Sequence, residues 1–298
     1  MRRNIPTLPL SDYAPEMAGS QQLFIGRIED SLVKRPNRRR VHRHTYYEVF
    51  WIAGQGSYFA DFQQHPLVGA TLVFVSPGHI HRWEESPRLT GPMICFTQEF
   101  YDGLEAPPSS LHQHPFWFPY DTPPLLSFDA AEAKKIESIW RHLESEASPD
   151  GERDEIVRSL LRVLFHTCTR HYRSRHGNSE TARQVNGPSR LGRRFQLAVE
   201  KLFLTTSSVA EYARALQVTA DHLGAVVREE TGRTPGEIIR DRLLLEAKRL
   251  LVHTSMNISE IAYALNFEDP AYFSRFFRRL TEQAPGDFRE TFSEKHPS

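Results

Sequence analysis

Four side chains in the first third of the chain have the types and spacing of a ligand-binding cluster. They are His42, His44 and Glu48, followed further along the chain by His81. Because successive side chains of a strand point in opposite directions, the first three share one strand face, and His81 comes from a second strand. Three imidazoles and one carboxylate that converge are a competent ligand set for Fe, Mn, Ni or Zn.

The same cluster can be interpreted as a polar pocket for a small-molecule effector, with no cofactor required. Small-molecule sites are mostly apolar and contain a few directed polar groups. The residues expected to line such a pocket are His42, His44, Tyr46, Glu48, His81, Trp83 and Arg38. Core packing is the alternative role for the aromatic residues, and a solvated strand edge is the alternative for Arg38.

The last third of the chain contains an imperfect repeat. The run Ser208–Leu216 is echoed by Ile258–Leu265, and Thr234–Glu237 is echoed by Ala284–Asp287. The two copies are offset by about 50 residues, which indicates one supersecondary unit used twice. Apolar spacing within each copy predicts a short helix, a tight turn and a second helix, the pattern of a helix-turn-helix that binds DNA.

Local signals set the limits of these helices. Thr219 is a plausible N-cap for the second helix of the first copy, which Gly232 ends. In the second copy, Asn266 suits a turn with positive φ, and Asp269 caps the following helix. A capping box that starts at Thr234 opens a connecting helix of roughly 19 residues, or about 28 Å. That length suits two recognition helices in successive major grooves, about 34 Å apart.

The segment from about Leu191 to Arg289 resembles the DNA-binding domain of AraC/XylS-type transcription regulators. The resemblance is carried by the runs Ile258–Phe267 and Tyr272–Arg279. Asn266 and Glu282 depart from it, because the family usually has glycine at both positions. Ala284 also departs, standing where a serine or threonine usually precedes the proline.

The resemblance implies which side chains contact DNA. The residues that it places against bases are Asp221, His222, Ala225, Asp269, Ala271, Ser274 and Arg275. The residues expected at phosphates are Arg194, Arg228, Arg278 and Arg279. Arg275 is the best candidate for reading a guanine, since a guanidinium can pair with O6 and N7 together. A solvated helix face is the alternative for each arginine.

Upstream of the repeat, the histidine and glutamate pattern resembles the paired motifs of cupin barrels, which the same family often uses to sense effectors. Sensor barrels frequently bind effector or water with such residues, so the resemblance favours the polar pocket over the metal. Strands are predicted from Tyr46 to Ala53 and from Ser57 to Phe62, with turns at 54–56 and 69–70. The expected fold is α+β and multidomain, with a cupin-like barrel, two helices and an all-α domain of two helix-turn-helix modules joined by a long helix.

The predicted domain limits are 1–126 for the barrel with its N-terminal arm, 127–173 for the helical pair, 174–188 for a linker and 189–298 for the DNA-binding domain. The helical pair runs from Asp129 to Glu146 and from Asp154 to Tyr172. Relatives commonly dimerise through this pair, which predicts a homodimer with Leu161 and Phe165 in its interface. A cap over the barrel within one chain is the alternative.

Composition limits the remaining possibilities. The chain has 298 residues with 37 basic and 37 acidic side chains, and this zero net charge argues against a polybasic DNA binder. Cys95 and Cys168 are expected to be reduced core thiols of a cytoplasmic protein, and no apolar run predicts a membrane segment.

The predicted function is regulation of transcription, as an activator rather than an enzyme. Its expected partners are double-stranded promoter DNA, a small-molecule effector, a second copy of the chain and RNA polymerase. A metal-dependent cupin enzyme with an appended DNA-binding domain is the alternative.

Overall fold

The computed structural model describes residues 5–10, 22–34, 41–83, 89–103, 111, 114–117, 124–146, 153–176 and 190–295. Contacts divide the chain into two compact units, Pro6–Gly187, and Pro188–Ser298 together with Met1–Ile5. Arg38 and most of the predicted linker lie outside the described residues. None of the described helices is both long and apolar enough to cross a bilayer.

The N-terminal unit combines a mixed set of strands with helices. Its strands are β1 (Thr7–Leu8), β2 (Leu23–Arg27), β3 (Arg43–His44), β4 (Tyr47–Ala60), β5 (Gln63–Val75), β6 (His81–Trp83), β7 (Pro92–Phe96) and β8 (Leu125–Ser127). Its helices are α1 (Ile28–Lys34), α2 (Gln98–Asp102), α3 (Ala130–Ser145) and α4 (Arg153–His176). The main sheet is antiparallel in the order β2-β7-β4-β5-β8, and β6 also pairs with β4.

The predicted turns at 54–56 and 69–70 are wrong. β4 and β5 form one long hairpin that pairs Glu48 with Val75 at one end and Ala60 with Gln63 at the other. Gly54 and Gly69 are paired with each other inside this hairpin, with φ of 140° and 71°. Glycine accepts such dihedral angles without steric cost, so the two glycines allow the paired strands to bend without ending them.

The outer edge of β4 is shared by two strands. Its first half, Tyr47–Phe50, pairs with β7, whereas its second half, Tyr58–Ala60, pairs with β6. The strands β2 and β8 lie at opposite ends of the sheet order and do not pair with each other among the described residues. A closed cupin barrel is therefore not confirmed, although the expected mixture of sheet and helices is.

Helices α3 and α4 cover one face of the sheet. Trp51, Phe74 and Phe96 of the sheet share a buried cluster with Trp140 of α3 and Phe165 of α4. Leu161 and Phe165 are fully buried, so the expectation that they form a subunit interface is wrong. Leu161 and Phe165 pack against the sheet of their own chain. The apolar surface of α4 is wide, so that one side is buried against the sheet and another side remains exposed. Ile156 and Val163 lie on the exposed side, with 43% and 52% of their surface accessible.

The C-terminal unit is helical in the part that the structure describes. Its helices are α5 (Arg190–Leu202), α6 (Val209–Ala215), α7 (Ala220–Thr231), α8 (Pro235–His253), α9 (Ile258–Ala264), α10 (Pro270–Thr281) and α11 (Pro285–Lys295). The pairs α6–α7 and α9–α10 are the two helix-turn-helix modules, and α8 connects them. The buried residues Tyr212, Ala213, Leu223 and Val227 form the core of the first module with residues of α5 and α8.

The predicted caps of these helices are confirmed. Thr219 accepts a hydrogen bond from the backbone of His222, and Thr234 forms a capping box with Glu237. Asp269 accepts bonds from the backbone amides of Ala271 and Tyr272. Each cap satisfies backbone donors that the first turn of a helix leaves without intrahelical partners.

Three described non-glycine residues of this unit have left-handed backbone conformations. Gln217 and Asn266 occupy the turns of the two modules, with φ of 59° and 62°. Glu282 ends α10 with φ of 62°, where Gly232 ends α7 with φ of 69°. The second module therefore places a glutamate in a conformation that glycine adopts at lower cost.

Candidate functional site

The first module exposes one face of α7. Asp221, His222, Ala225 and Arg228 are all exposed, and their spacing places them on the same side of the helix. Leu223 and Val227 are buried on the opposite side. The predicted contact residues of α7 therefore form a continuous surface, which the buried side of the helix holds against the rest of the module.

The second module exposes the corresponding face of α10. Ala271, Arg275, Arg278 and Arg279 are exposed, whereas Phe273 is buried. The guanidinium groups of the three arginines are at the surface, where they can form charge-assisted hydrogen bonds to phosphate or to a guanine edge.

Three of the predicted contact residues already make hydrogen bonds within the unit. Asp269 is used as the N-cap of α10, and its carboxylate lies 3.7 Å from Arg275 in an exposed ion pair. The Ser274 hydroxyl donates to the carbonyl of Pro270. Arg194 donates from Nη2 to the carbonyl of Leu216, which closes the C-terminal end of α6. These three side chains have local roles in fixing the modules, besides any contact with DNA.

The exposed helices of the two modules carry opposite charge. One arginine and three carboxylates give α7 a formal charge of −2, whereas three arginines and no carboxylate give α10 a charge of +3. In the register of the repeat, Ala225 stands at the position of Arg275, and Glu229 stands at the position of Arg279. The modules are therefore alike in fold and unlike in electrostatics.

A buried ionic network in α8 links this helix to α5. Arg242 Nε contacts both carboxylate oxygens of Glu200 on α5, at 3.0 and 2.9 Å. Glu246 Oε2 accepts from Arg242 at 3.3 Å and from Arg249 at 3.2 Å. The sequence gives no local signal for this network, because its members look like an ordinary solvated helix face. Once formed, it fixes how α5 lies on the connecting helix.

In the N-terminal unit, the four predicted ligand residues come together. His81 Nε2 lies 3.0 Å from His42 Nε2 and 3.1 Å from His44 Nε2. Glu48 Oε2 lies 3.1 Å from His44 Nε2 and 3.7 Å from His81 Nε2. All four side chains are buried. An antiparallel bridge between His42 and His81 joins the two segments that carry the histidines.

Two neighbours hold this cluster from outside. The Cys95 thiol donates to Glu48 Oε1 at 3.6 Å, and the Tyr58 hydroxyl lies 3.4 Å from His81 Nδ1. Burial, together with the charge of Glu48, raises the pKa of Tyr58 well above its ordinary value, so its hydroxyl keeps its proton. Tyr46 lies against the ring of His44, and Trp83 packs on Phe50 and Tyr58.

Comparisons with known proteins agree with the helical repeat. A family model described as a helix-turn-helix domain matches residues 212–291. The transcriptional activator RhaR of Mannheimia succiniciproducens is 21% identical over 262 residues, which cover 86% of this chain and 88% of that protein. The regulator GlxA of Rhizobium meliloti is 42% identical over 77 residues, which are 26% of this chain and 24% of that protein.

The helix-turn-helix match and the activator relatives support an AraC/XylS-type regulator. A further relative of this regulator is an HTH-type transcriptional regulator of Bacillus subtilis, YfiF, which is 21% identical over 257 residues. That alignment covers 85% of this chain and 80% of YfiF. The same comparisons support a DNA-binding regulator of transcription.

Among the similar solved structures, one covers about a third of this chain and another covers most of it. The DNA-binding domain of AdpA in complex with a target DNA is 23% identical, with a TM-score of 0.33 over 36% of this chain and 96% of that chain. ToxT of Vibrio cholerae with bound unsaturated fatty acid is 13% identical, with a TM-score of 0.36 over 90% of this chain and 94% of that chain.

The sequence of this regulator gave no indication of some contacts that the predicted site residues make. Cys95 was expected to be only a core thiol, yet it is paired in register with Glu48 across β4 and β7. No local signal could have revealed that contact, because it depends on which strands are neighbours. Phe74 and Phe96 pack on the opposite side of the sheet, towards α3 and α4, and so do not border the histidine cluster.

Proposed function

We propose that this regulator binds promoter DNA through α7 and α10, and that an effector bound in its N-terminal unit controls the binding. The observation that carries the DNA-binding part is the pair of exposed helix faces at matching positions of the two modules. The 19 residues of α8 connect them. At 1.5 Å per residue this helix is about 28 Å long, which suits adjacent major grooves.

In this proposal the second module provides most of the electrostatic attraction. Arg278 and Arg279 neutralise phosphates, and Arg275 reads a guanine. Asp221, His222 and Ala225 face bases in the first module. An exposed carboxylate such as Asp221 can accept a hydrogen bond from the amino group of cytosine. The acidic face of α7 otherwise repels phosphates, so this module contributes more to selectivity than to affinity.

The N-terminal unit is proposed to be a cupin-like sensor. Its long bent hairpin and the buried histidine cluster support this assignment. An effector that binds one arrangement of the protein more tightly shifts the population towards that arrangement, and thereby changes DNA affinity. The relatives RhaR and RhaS are described as activators, so we propose activation, with a contact to RNA polymerase at the promoter.

A homodimer is proposed to form through the exposed side of α4. Ile156 and Val163 lie on this side together with the partly buried Leu160. They follow the spacing of a single helix stripe. Two copies of this stripe would bury the apolar surface that each chain leaves open to water.

The DNA-binding proposal is tested with the full-length protein and a duplex selected from a random-sequence library. Arg275→Ala should relax base preference at one position, at a cost of about 1–3 kcal/mol for the preferred base. Arg278→Ala should weaken binding to all sequences and reduce the slope of log K against log salt by about 1. Arg141→Ala, which replaces an exposed arginine of α3, is the control and should leave both quantities unchanged. Wild-type behaviour of both Arg275→Ala and Arg278→Ala would show that α10 does not dock on DNA.

A further inference from the structure

We propose that Asp269 and Tyr272 hold the guanidinium of Arg275 in place before DNA binds, so that Arg275 distinguishes guanine from other bases more sharply than a mobile arginine would. Asp269 and Tyr272 are positioning residues, because they act through Arg275. The inference rests on the proposed function, in which Arg275 reads a guanine. It assigns Asp269 a role other than contact with a base, and it adds Tyr272 to the residues that determine specificity.

The carboxylate of Asp269 is a fixed anchor for the arginine. Its Oδ1 accepts from the backbone amide of Ala271 at 2.8 Å, and its Oδ2 accepts from that of Tyr272 at 3.2 Å. Side chains of a helix lean towards its N-terminus, so Arg275 reaches back over the first turn to this cap. Its Nη2 lies 3.7 Å from Asp269 Oδ2. Because two backbone amides already hold the carboxylate, the ion pair restrains mainly the guanidinium.

The ring of Tyr272 restrains the same guanidinium from a second direction. The Cζ atom of Arg275 lies over this ring, 5.9 Å from its centroid, within the range of an attractive cation–π contact. The ring also lies 5.9 Å from that of Phe267, and Phe267 packs on Phe273 and Phe276. The tyrosine ring is therefore supported from within the module, although 55% of its surface is accessible.

A restrained guanidinium loses less conformational entropy when it pairs with a base. An arginine side chain has many rotamers, and pairing with guanine O6 and N7 together requires one orientation of its planar fork. The Asp269 carboxylate contacts one nitrogen of Arg275, which leaves other N–H donors to face the groove. A mobile arginine can also turn towards a phosphate, where a contact carries no sequence information. The two restraints therefore favour contact with the base over contact with phosphate.

The first module has a different arrangement at the equivalent positions. The register of the repeat places three other side chains there, which are Thr219, His222 and Ala225. Thr219 caps α7 with a neutral hydroxyl, and Ala225 has no charge to orient. Of the two described modules, the one whose recognition helix carries an arginine at this position is also the one with an acidic cap. This pairing of cap and arginine supports a positioning role for the carboxylate.

The restraint is measured first without DNA. The order parameter of each arginine Nε–Hε group, from nuclear magnetic relaxation of the full-length protein, reports how freely the guanidinium moves. Arg275 should be more ordered than Arg279, an exposed arginine of the same helix that has no ion pair or ring contact among the described residues. The order of Arg275 should fall in Asp269→Asn and in Tyr272→Ala. A wild-type Arg275 as mobile as Arg279 would overturn the restraint.

Base preference is measured next, as the ratio of Kd between duplexes that have another base or guanine at the position that Arg275→Ala identifies. Asp269→Asn keeps the N-cap, because asparagine caps helices as well as aspartate does, but it removes the ion pair. The ratio should fall about twofold to fivefold, the range of an exposed ion pair. Tyr272→Ala should lower it similarly, whereas Tyr272→Phe keeps the ring face and should match the wild type. An equal loss in Tyr272→Phe would overturn the role of the ring.

Two exposed neighbours provide matched controls. Glu268→Gln removes one negative charge beside the cap but leaves the ion pair intact, so it should leave the ratio unchanged even if it tightens binding to all duplexes. Tyr263→Ala removes an exposed tyrosine of α9, 61% accessible, and should also leave the ratio unchanged. Circular dichroism at the assay temperature shows whether each variant is folded.

A double-mutant cycle separates positioning from direct contact. In an Arg275→Ala background, Asp269→Asn should have no further effect on the ratio, because no guanidinium is left to position. A changed preference at a neighbouring base pair would show that Asp269 reads that base itself and would overturn the positioning role, as would an unchanged ratio in folded Asp269→Asn. If Arg275→Ala relaxes no position, the proposed guanine readout fails, while the order of Arg275 still decides whether Asp269 and Tyr272 hold it.

Discussion

Replacing Glu282 with glycine should stabilise the C-terminal unit. Glu282 ends α10 with φ of 62° and ψ of 3°, and its backbone amide donates to the carbonyl of Arg278 at 2.8 Å. A left-handed conformation costs an L-residue about 1–2 kcal/mol, and glycine avoids this cost. Glycine also has more freedom in the unfolded chain, which removes about 0.5–1 kcal/mol of the gain. The expected net gain in the free energy of unfolding is about 0.5–1 kcal/mol.

Two other variants separate backbone strain from the negative charge of Glu282 as the cause of the expected gain. Glu282→Gln removes the negative charge from the C-terminal end of the helix but keeps the backbone conformation, so it should gain about 0.3 kcal/mol or less at this exposed position. Gly232→Ala is the reverse change at the equivalent position of the first module, where φ is 69° and the amide donates to Arg228 at 2.9 Å. It should lose about 1 kcal/mol or more.

The assay is urea unfolding of the full chain, followed with two probes. All 4 tryptophans lie between positions 51 and 140, so their fluorescence reports the N-terminal unit. Far-ultraviolet circular dichroism also detects the helices of the C-terminal unit. With a slope of about 1.5 kcal/mol/M, Glu282→Gly should raise the midpoint of the helix transition by roughly 0.3–0.7 M. The fluorescence midpoint should not change. A midpoint for Glu282→Gly no higher than that of Glu282→Gln would refute backbone strain as the cause.

Two further predictions concern surfaces. Glu229→Arg gives α7 the charge that Arg279 gives α10, so it should tighten binding to all duplexes and steepen the salt slope by about 0.9, measured by fluorescence anisotropy. Glu137→Arg on α3 has the same change in net charge and should have no effect. Val163→Glu should produce folded monomers in sedimentation, because the side chain of Val163 is exposed. Leu161→Glu should instead unfold the N-terminal unit, because Leu161 is buried and the substitution would bury a charge. A dimeric Val163→Glu protein would place the interface elsewhere.

The helical repeat could be predicted because its signals are local. The caps at Thr219, Thr234 and Asp269 depend on atoms within three residues of each cap. The left-handed turn at Asn266 likewise depends on one residue that tolerates positive φ. Interactions of this range are encoded in short windows of sequence, and neighbouring elements do not change them.

The parts that could not be predicted depend on distant pairing. Glycine is common in turns, so the sequence around Gly54 and Gly69 predicts turns. Only the pairing of these two residues across the hairpin shows that the strands bend there and continue. Arg249 has the charge of a surface residue, yet Glu246 allows it to be fully buried. The prediction that His42, His44 and Glu48 share one strand is wrong, because His42 forms an isolated bridge with His81, His44 ends β3 and Glu48 lies in β4. Their contact with His81 needed the fold of β6 onto β4.

The position of the histidine cluster along the chain also affects how the N-terminal unit unfolds. His42 and His81 are 39 residues apart, and every residue between them belongs to one continuous described segment. A ligand that binds both histidines would cross-link the two ends of this loop, in the manner of a disulfide. For a loop of about 40 residues, a disulfide removes on the order of 4 kcal/mol of entropy from the unfolded chain. The hairpin of β4 and β5 lies entirely inside the loop, so the cross-link would restrain the strands at the centre of the sheet.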